Sequence, residues 1–405
     1  MVNQFQPLFI NYKKDAYIVL EGKPAECFFI IQQGKARVTR EASIGSGAET
    51  LVPGDLFGVI SAMSSHKHIE TVQALSDVTL ISVTPQQYIG LIQKSAQVAM
   101  KILKLFSIRL RYLNETLAGL AQNTAENDHT KLYDVAEYFY NEKLFELACY
   151  AYTQYVKYCP NHEHVSVVQR RLAQLENYSA NAKIKFGSEL NRSYRRNNMI
   201  FAEGEPGNEL FVIQKGSVKI TKIVDNHEVL LAMLKVGDIF GEMALLEGKP
   251  RAACAIAYEE CTVMTVSKEN FEVMCKAHPQ LIDKVTTLLA ERIWLIYKQL
   301  ANTLIENQLC RLYDSLIIQL EKNRISLESR EPYTFGFGRA ELSNMVGLSE
   351  RESRSLINEM FTKGKIRLVN EKIFVPSVVE LFKETEILRK MEKLAQSRKN
   401  SDKES

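Results

Sequence analysis

Hydrophobic and polar positions change their period several times along this chain, and each change marks an element. Phe28 to Gln32 and Leu210 to Gln214 are rich in β-branched and aromatic residues and end at Gly34 and Gly216, which predicts strands closing on turns that need positive φ. From Ile282 the period becomes helical. Ile282, Val285, Leu289, Ile293, Ile296, Leu300 and Leu304 step by three or four and form one apolar stripe, long enough to predict pairing with its counterpart in a second chain as well as packing on its own domain. Thr130 to Leu175 is helical in pattern throughout, with Leu132, Ala136, Phe139, Ala148, Tyr152, Tyr155 and Pro160 at helical spacing. Leu309 to Leu320 is another amphipathic segment, followed by a loop through Ser329 to Phe337. Arg339 to Val346, a turn at Gly347, and Glu350 to Phe361 capped by Ser349 predict a helix, a short turn and a second helix. Lys365 to Val369 and Lys372 to Val375, separated by Asn370 and Glu371, predict a hairpin. The tail from Thr385 to Ser405 opens as a charged helical run and ends in SRKNSDKES, too polar to fold alone, so a frayed terminus is expected.

The chain also repeats itself. Tyr12 to Arg40 lies against Tyr194 to Lys222 without a gap: Glu21, Gly22, Pro24, Phe29, Ile31, Gln32, Gly34 and Thr39 recur as Glu203, Gly204, Pro206, Phe211, Ile213, Gln214, Gly216 and Thr221. After one extra residue the register resumes at Gly54 to Gly58 against Gly237 to Gly241, and it holds to Leu117 and Ala118 against Leu300 and Ala301. Short strands with regular turns, then a long helix, predict a small jelly-roll-like β-roll closed by helices in each copy.

Composition narrows the classes. A chain of 405 residues exceeds one ordinary core and predicts two to four domains, and 46% hydrophobic against 24% charged residues suits a globular protein. The net charge of +3 announces neither nucleic acid nor membrane by itself. No stretch is apolar enough for a membrane span, and Met1 to Asn11 lacks a basic start followed by an apolar run, so a cytoplasmic protein without a membrane partner is expected. The seven cysteines are odd in number and scattered without metal-ligand spacing, which predicts reduced thiols and no bound metal. With no paired nucleophile and base, no metal set and no nucleoside-triphosphate loop, the expectation is a protein that is not an enzyme and has no cofactor.

The chemistry concentrates in Phe240 to Cys254, FGEMALLEGKPRAAC, where a glycine, a carboxylate, a short helical turn and an arginine follow closely. Gly241 permits close backbone approach, Glu242 can accept from a hydroxyl, the N-H groups opening Met243 to Leu246 favour an anion, and Arg251 supplies a guanidinium. The segment resembles the phosphate-binding cassette of cyclic-nucleotide-binding domains, as in regulatory subunits of the cAMP-dependent protein kinase and in the catabolite activator family. The resemblance implies that Glu242 binds the ribose 2′-hydroxyl, Arg251 the exocyclic phosphate oxygen, and the backbone N-H groups of Ala244 and Ala252 complete a cradle formed with Gly241 and Met243. Ala252 stands where members preferring cGMP often carry Thr, so the regulatory ligand it implies is cAMP. The base is expected to meet the long helix near Tyr297.

The first copy keeps the frame and loses the anchors. In Phe57 to Thr71, FGVISAMSSHKHIET, Val59 stands in place of Glu242 and His68 in place of Arg251. A structural or dimerising role is the first expectation for this copy. Ser61, Ser64, Ser65, His66, Lys67 and His68 leave open a grip on another anion, and His66 with His68 a metal pair that lacks a third ligand.

Thr130 to Leu175 resembles one tetratricopeptide unit. A single unit cannot bury a solenoid core, so it should pack on neighbours, the helices around Leu105 to Leu120 and Val165 to Leu175 among them, as a spacer or as a surface for a protein partner. Tyr333 to Pro376 resembles the winged helix-turn-helix of the catabolite activator and fumarate-nitrate regulator family. By that resemblance Glu350, Arg351, Arg354 and Ser355 face bases of double-stranded DNA, and Lys363, Lys365, Arg367 and Lys372 position its backbone. Glu350, Glu352 and Glu359 against Arg351 and Arg354 leave the recognition helix without positive charge, a departure from the usual pattern.

The whole reads as a multidomain α+β protein. Residues 1–125 form a degenerate cyclic-nucleotide-binding-like domain with its long helix, 126–180 a helical linker, and 181–305 a cyclic-nucleotide-binding domain with a dimerisation helix. Residues 306–384 form the winged domain, and 385–405 a charged tail. The expected function is a homodimeric, cAMP-responsive transcription regulator; the alternative is a cyclic-nucleotide-responsive scaffold acting through protein partners.

Overall fold

The computed structural model describes residues 7–40, 49–94, 96–117, 131–178, 190–224, 226–277, 279–348 and 350–404. The chain divides into two compact units, Met1–Trp294 and Leu295–Ser405.

The internal repeat is a structural repeat. The first copy runs β1 (Leu8–Tyr12), β2 (Tyr17–Val19), β3 (Phe28–Gln33), β4 (Ala36–Thr39), β5 (Glu49–Leu51), β6 (Leu56–Phe57), α1 (Val59–Met63), β7 (Thr71–Ala74), β8 (Val78–Val83), α2 (Pro85–Lys94) and α3 (Ala96–Leu117). Three helices follow, α4 (Lys131–Asn141), α5 (Phe145–Tyr158) and α6 (Val165–Gln174). The second copy runs β9 (Asn191–Tyr194), β10 (Met199–Phe201), β11 (Glu209–Lys215), β12 (Val218–Val224), β13 (His227–Leu234), β14 (Ile239–Phe240), α7 (Glu242–Glu247), β15 (Cys254–Ala257), β16 (Cys261–Ser267), α8 (Lys268–Ala277) and α9 (Pro279–Thr303). Each copy folds into two four-stranded antiparallel sheets with matching strand orders: β1-β8-β3-β6 and β2-β7-β4-β5 in the first, β9-β16-β11-β14 and β10-β15-β12-β13 in the second. Inward residues of each sheet pair fill one core, such as Phe29, Ile31, Val72 and Leu80 in the first copy and Phe211, Ile213, Val218 and Val263 in the second.

Gly216 shows why the repeat keeps its turn glycine. Its φ is +77°, and a Cβ there would stand 2.2 Å from the carbonyl oxygen of Glu260.

The helical insert is covered differently from the expectation. Leu132, Phe139, Tyr152 and Tyr155 share one core with Val168 and Leu175, as the pattern implied, but the remaining cover comes from Met199, Ala202, Cys254 and Ile256 of the second barrel. No described residue of the helix around Leu105 to Leu120 takes part in that core; residues 118–120 lie outside the described set. Tyr150 of α5 donates its hydroxyl to the carbonyl of Ile200 at 3.2 Å and to Glu205 at 3.1 Å, so the insert is fastened to the barrel by a buried polar contact as well as by apolar packing.

The stripe on α9 is also satisfied within one chain. Ile282, Val285, Leu289 and Ile293 are buried, the hydroxyl of Thr286 lies 3.0 Å from that of Tyr88 on α2, and Trp294 stacks on His66 at 3.6 Å between ring centroids. This part of the stripe is thus covered by the first copy within one chain. Leu304 falls beyond the end of α9 and is 50% exposed.

In the second unit, α10 (Gln308–Lys322), β17 (Tyr333–Thr334), α11 (Arg339–Met345), α12 (Glu350–Thr362), β18 (Arg367–Val369), β19 (Lys372–Val375) and α13 (Val378–Glu404) surround a core that includes Leu312, Leu316, Phe335, Ile357, Ile373 and Leu381. Gly347 takes φ +67° between α11 and α12, and Ser343 and Ser353 join the two helices by a buried 2.6 Å hydrogen bond. Asn370 and Glu371 both take positive φ, as a two-residue hairpin turn requires. The capping position Ser349 lies outside the described residues. Two expectations change here. The loop before α11 carries β17, which pairs with β19 to give the sheet order β17-β19-β18. The start of the tail is anchored: α13 runs to Glu404, with Thr385 buried and Arg389 bonded through Nε to the buried Asp314 at 2.8 Å and through Nη1 to Glu386 at 2.7 Å. Burying Asp314 requires a cation, and Arg389 supplies it.

Glu203 and Lys222 form a buried pair at 3.1 Å inside the second barrel, and burial holds the Glu203 carboxyl above the usual carboxylate range, against the pull of Lys222. Lys222→Met is expected to destabilise the protein by up to about 3 to 5 kcal/mol at neutral pH, because it leaves the buried carboxylate with only the more distant Lys131, at 3.9 Å. The raised folded-state affinity for a proton makes this loss shrink at mildly acidic pH, because Glu203 takes up its proton more readily folded than unfolded. Urea unfolding of both proteins at the two pH values checks it.

Candidate functional site

The cassette of the second barrel is built around Arg251. Its guanidinium lies 4.3 Å over the ring of Phe201, is only 5% exposed, and donates through Nη1 to the carbonyl of Gly241 at 2.6 Å. Two glycines make room for it. A Cβ at Gly207 would sit 2.5 Å from the guanidinium carbon, and one at Gly241, whose φ is +77°, would sit 2.7 Å from Nη1. Burial lowers the pKa of Arg251, partly offset by Glu205 and Glu209, and its Nε has no hydrogen-bond partner. This is a desolvated cation with unmet hydrogen-bonding capacity, the electrostatic setting that favours an anion.

The other cassette residues surround it. Gly241 is the residue before α7, Glu242 and Met243 open that helix, and Ala244 is buried against the space beside Gly207. Ala252 is half-buried, and its carbonyl accepts from Lys222 at 3.4 Å. The structure thus brings Gly241, Glu242, Met243, Ala244, Arg251 and Ala252 into one cassette. Tyr297 lies on α9 in the second unit and is buried.

Two contributors were not foreseen. Arg292 of α9 donates to Glu242 Oε1 at 3.1 Å and to the carbonyl of Ile239, so the buried carboxylate at the head of α7 is already neutralised. The signal lay in its position: Arg292 is spaced three after Leu289 and four before Ile296, a lone cation on an apolar face. Glu205 is the second. Burial raises its pKa, it accepts from the Ala202 N-H at 3.0 Å and from Tyr150, and its charge supports that of Arg251. No pattern within the barrel's own sequence could name Tyr150, which comes from the insert.

The first copy arranges its cassette with opposite charge. Gly58 donates its N-H to Glu70 at 2.8 Å, and Glu70 pairs with Arg40 at 2.8 Å, so an internal carboxylate takes the hydrogen bonding at the start of α1. Val59 and His68 are buried; burial holds the His68 pKa down, partly opposed by Glu70, which keeps the ring neutral near pH 7. Ser61 accepts from the Ile69 N-H, Ser64 donates to the Ser61 carbonyl, Ser65 sits at φ +51°, Lys67 is exposed, and His66 is spent on Trp294. His66 and His68 thus serve separate contacts.

On the second unit, Arg354 and Ser355 are exposed on α12, and Arg367 and Lys372 are exposed on the hairpin. Glu350 and Arg351 open α12, their side chains outside the described residues. Lys363 is held by Glu359 at 3.3 Å and Glu384 at 3.5 Å, and Lys365 by Glu380 at 3.4 Å. The structure does not leave these two lysines as solitary charges.

Known proteins resemble this chain in part. The chain is similar to the CRP-like cAMP-activated global transcriptional regulator of Mycobacterium tuberculosis, at 24% identity over 183 residues, which is 45% of this chain and 82% of that protein. It is also similar to cGMP-dependent protein kinase 2 of Homo sapiens, at 21% identity over 346 residues, 82% of this chain and 37% of the kinase. Among solved structures, a mutant of CooA from Carboxydothermus hydrogenoformans aligns at 17% identity over 51% of this chain and 94% of its own, with a TM-score of 0.42. Residues 9–95 and 191–278 each match the cyclic nucleotide-binding domain family and enclose the two cassettes, so the chain carries two copies of that domain.

Proposed function

We propose that the second barrel binds a cyclic nucleotide and that the chain is a cyclic-nucleotide-responsive transcription regulator. The observation that carries the ligand reading is Arg251, a buried guanidinium whose Nε lacks a partner and whose one hydrogen bond given above goes to a neutral carbonyl. In this reading Arg251 takes the phosphate, the N-H groups of Ala244 and Ala252 complete its cradle, and Glu242, held by Arg292, takes the ribose 2′-hydroxyl. Ala252 in place of Thr supports cAMP as the ligand. The first barrel, with Glu70 occupying its own cassette, is structural.

The second unit is the DNA reader in this proposal. Arg354 and Ser355 on α12 face bases together with Glu350 and Arg351, while Arg367 and Lys372 meet the backbone. Lys363 and Lys365 do so only by giving up their carboxylate partners. That pairing favours one alternative, a scaffold that responds to the nucleotide but acts through protein partners. No helix among the described residues is long and apolar enough to cross a membrane, which accords with a cytoplasmic protein. The homodimer is held at Ile387, Met391 and Leu394, an exposed edge of α13 spaced by four and three.

Three outcomes test these readings. Arg251→Ala is expected to weaken cAMP binding about a hundredfold, since losing a charged hydrogen-bonding partner costs about 2.7 kcal/mol. Calorimetric titration of the full chain measures it, and unchanged affinity sinks the site. The double variant Arg367→Ala with Lys372→Ala is expected to lower the slope of DNA affinity against log salt by about 2. Wild type without salt-dependent binding to any duplex leaves the scaffold reading. Met391→Glu is expected to convert the dimer to monomer in sedimentation velocity, and a wild-type monomer refutes that surface.

A further inference from the structure

Within residues 1–294 each barrel is gripped by the other's long helix. Helix α3, which closes the first copy, packs on α7, the cassette helix of the second. Arg111 on α3 donates through Nε to Glu247 at 2.8 Å and through Nη2 to the carbonyl of Pro250 at 3.3 Å, and Ser107 donates to the other oxygen of Glu247 at 2.7 Å. Glu247 is the last residue of α7, its side chain is only 2% exposed, and Pro250 directly precedes Arg251. One guanidinium therefore holds both the helix that carries Glu242 to Ala244 and the strand entry that carries Arg251. The reverse contact is made at the equivalent place. Trp294 holds the position in the second copy that Arg111 holds in the first, and it stacks on His66, just beyond α1. The polar half of this cross-brace falls on the cassette with charged anchors, and the aromatic half on the cassette without them.

We propose that α3 of the first copy is a positioning element for the cassette of the second, with Arg111 and Ser107 fixing α7 and Arg251 in their binding arrangement. The first copy is kept because it supplies this helix, whatever the state of its own cassette. This inference rests on the reading of the second barrel as a cyclic-nucleotide site. Removing Arg111 leaves Glu247 buried with the Ser107 hydroxyl, so α7 shifts to rehydrate it, and the cassette loses the geometry that lets Arg251 and the α7 N-H groups converge on one phosphate.

The test compares full-length wild type with Arg111→Met, Ser107→Ala and Lys101→Ala, the last on the same helix but bonded to Gly54 of its own barrel. Two readouts are taken: amide hydrogen exchange without ligand, and affinity for cAMP and cGMP. Arg111→Met is expected to speed exchange in 242–254 while β11 and β16 keep their protection, and to weaken nucleotide binding about tenfold. Ser107→Ala, which spares the ion pair and folds if Arg111→Met does not, shifts the same amides and the affinity in the same direction by less, and Lys101→Ala shifts neither. Wild-type binding that Arg111→Met and Ser107→Ala leave unchanged overturns the positioning role and leaves the ligand site standing. Faster exchange throughout the barrel strands overturns it also, as general loosening. Wild type that binds neither nucleotide overturns the ligand site itself, and the positioning role with it.

Discussion

A permanently charged side chain taken out of water must be surrounded by groups that make its burial tolerable, and in the second barrel Arg251 imposes that condition on everything near it. Two positions, 207 and 241, lack a Cβ because the guanidinium passes beside them. Phe201 offers it a ring face and Gly241 a carbonyl, while Glu205 adds negative charge without a direct ion pair. The arrangement holds the cation in place while its Nε stays without a hydrogen-bond partner.

The first copy shows the same backbone frame with that condition removed. Its sheets have the same strand order, yet the arginine position holds a buried histidine and the start of the cassette helix is bonded to Glu70, itself neutralised by Arg40. Charge has been closed internally where the second copy leaves it open. Its barrel still has work to do as a support, since it covers α9 through Tyr88 and His66 and delivers α3 to its neighbour.

The helical insert belongs to the same argument. Its core is completed by Met199, Ala202, Cys254 and Ile256, and Tyr150 reaches a buried carboxylate beside Arg251. The insert is thus part of the second barrel's interior as well as a connection between barrels, and the surface it has left for any other protein is its outward side.

Much of this was legible in the sequence because it depends on local spacing. The repeat, the turn glycines, the strands from Phe28 and from Leu210, the run from Gly241 to Ala252 and the helix, turn, helix and hairpin of the second unit follow from residue types at fixed short separations, which the backbone reads directly. What the tertiary structure alone decided involves partners far apart in the chain. Arg292 on Glu242, Tyr150 on Glu205, Arg111 on Glu247, Arg40 on Glu70 and Arg389 on Asp314 are ion pairs or hydrogen bonds joining residues between about 30 and 136 positions apart. Side-chain periodicity tells which face of a helix is buried and says nothing of what buries it; only the fold shows that the first barrel covers part of the stripe of α9. The start of the tail is held for the same reason: its composition is polar, but Arg389 pairs with one buried aspartate far away in the chain.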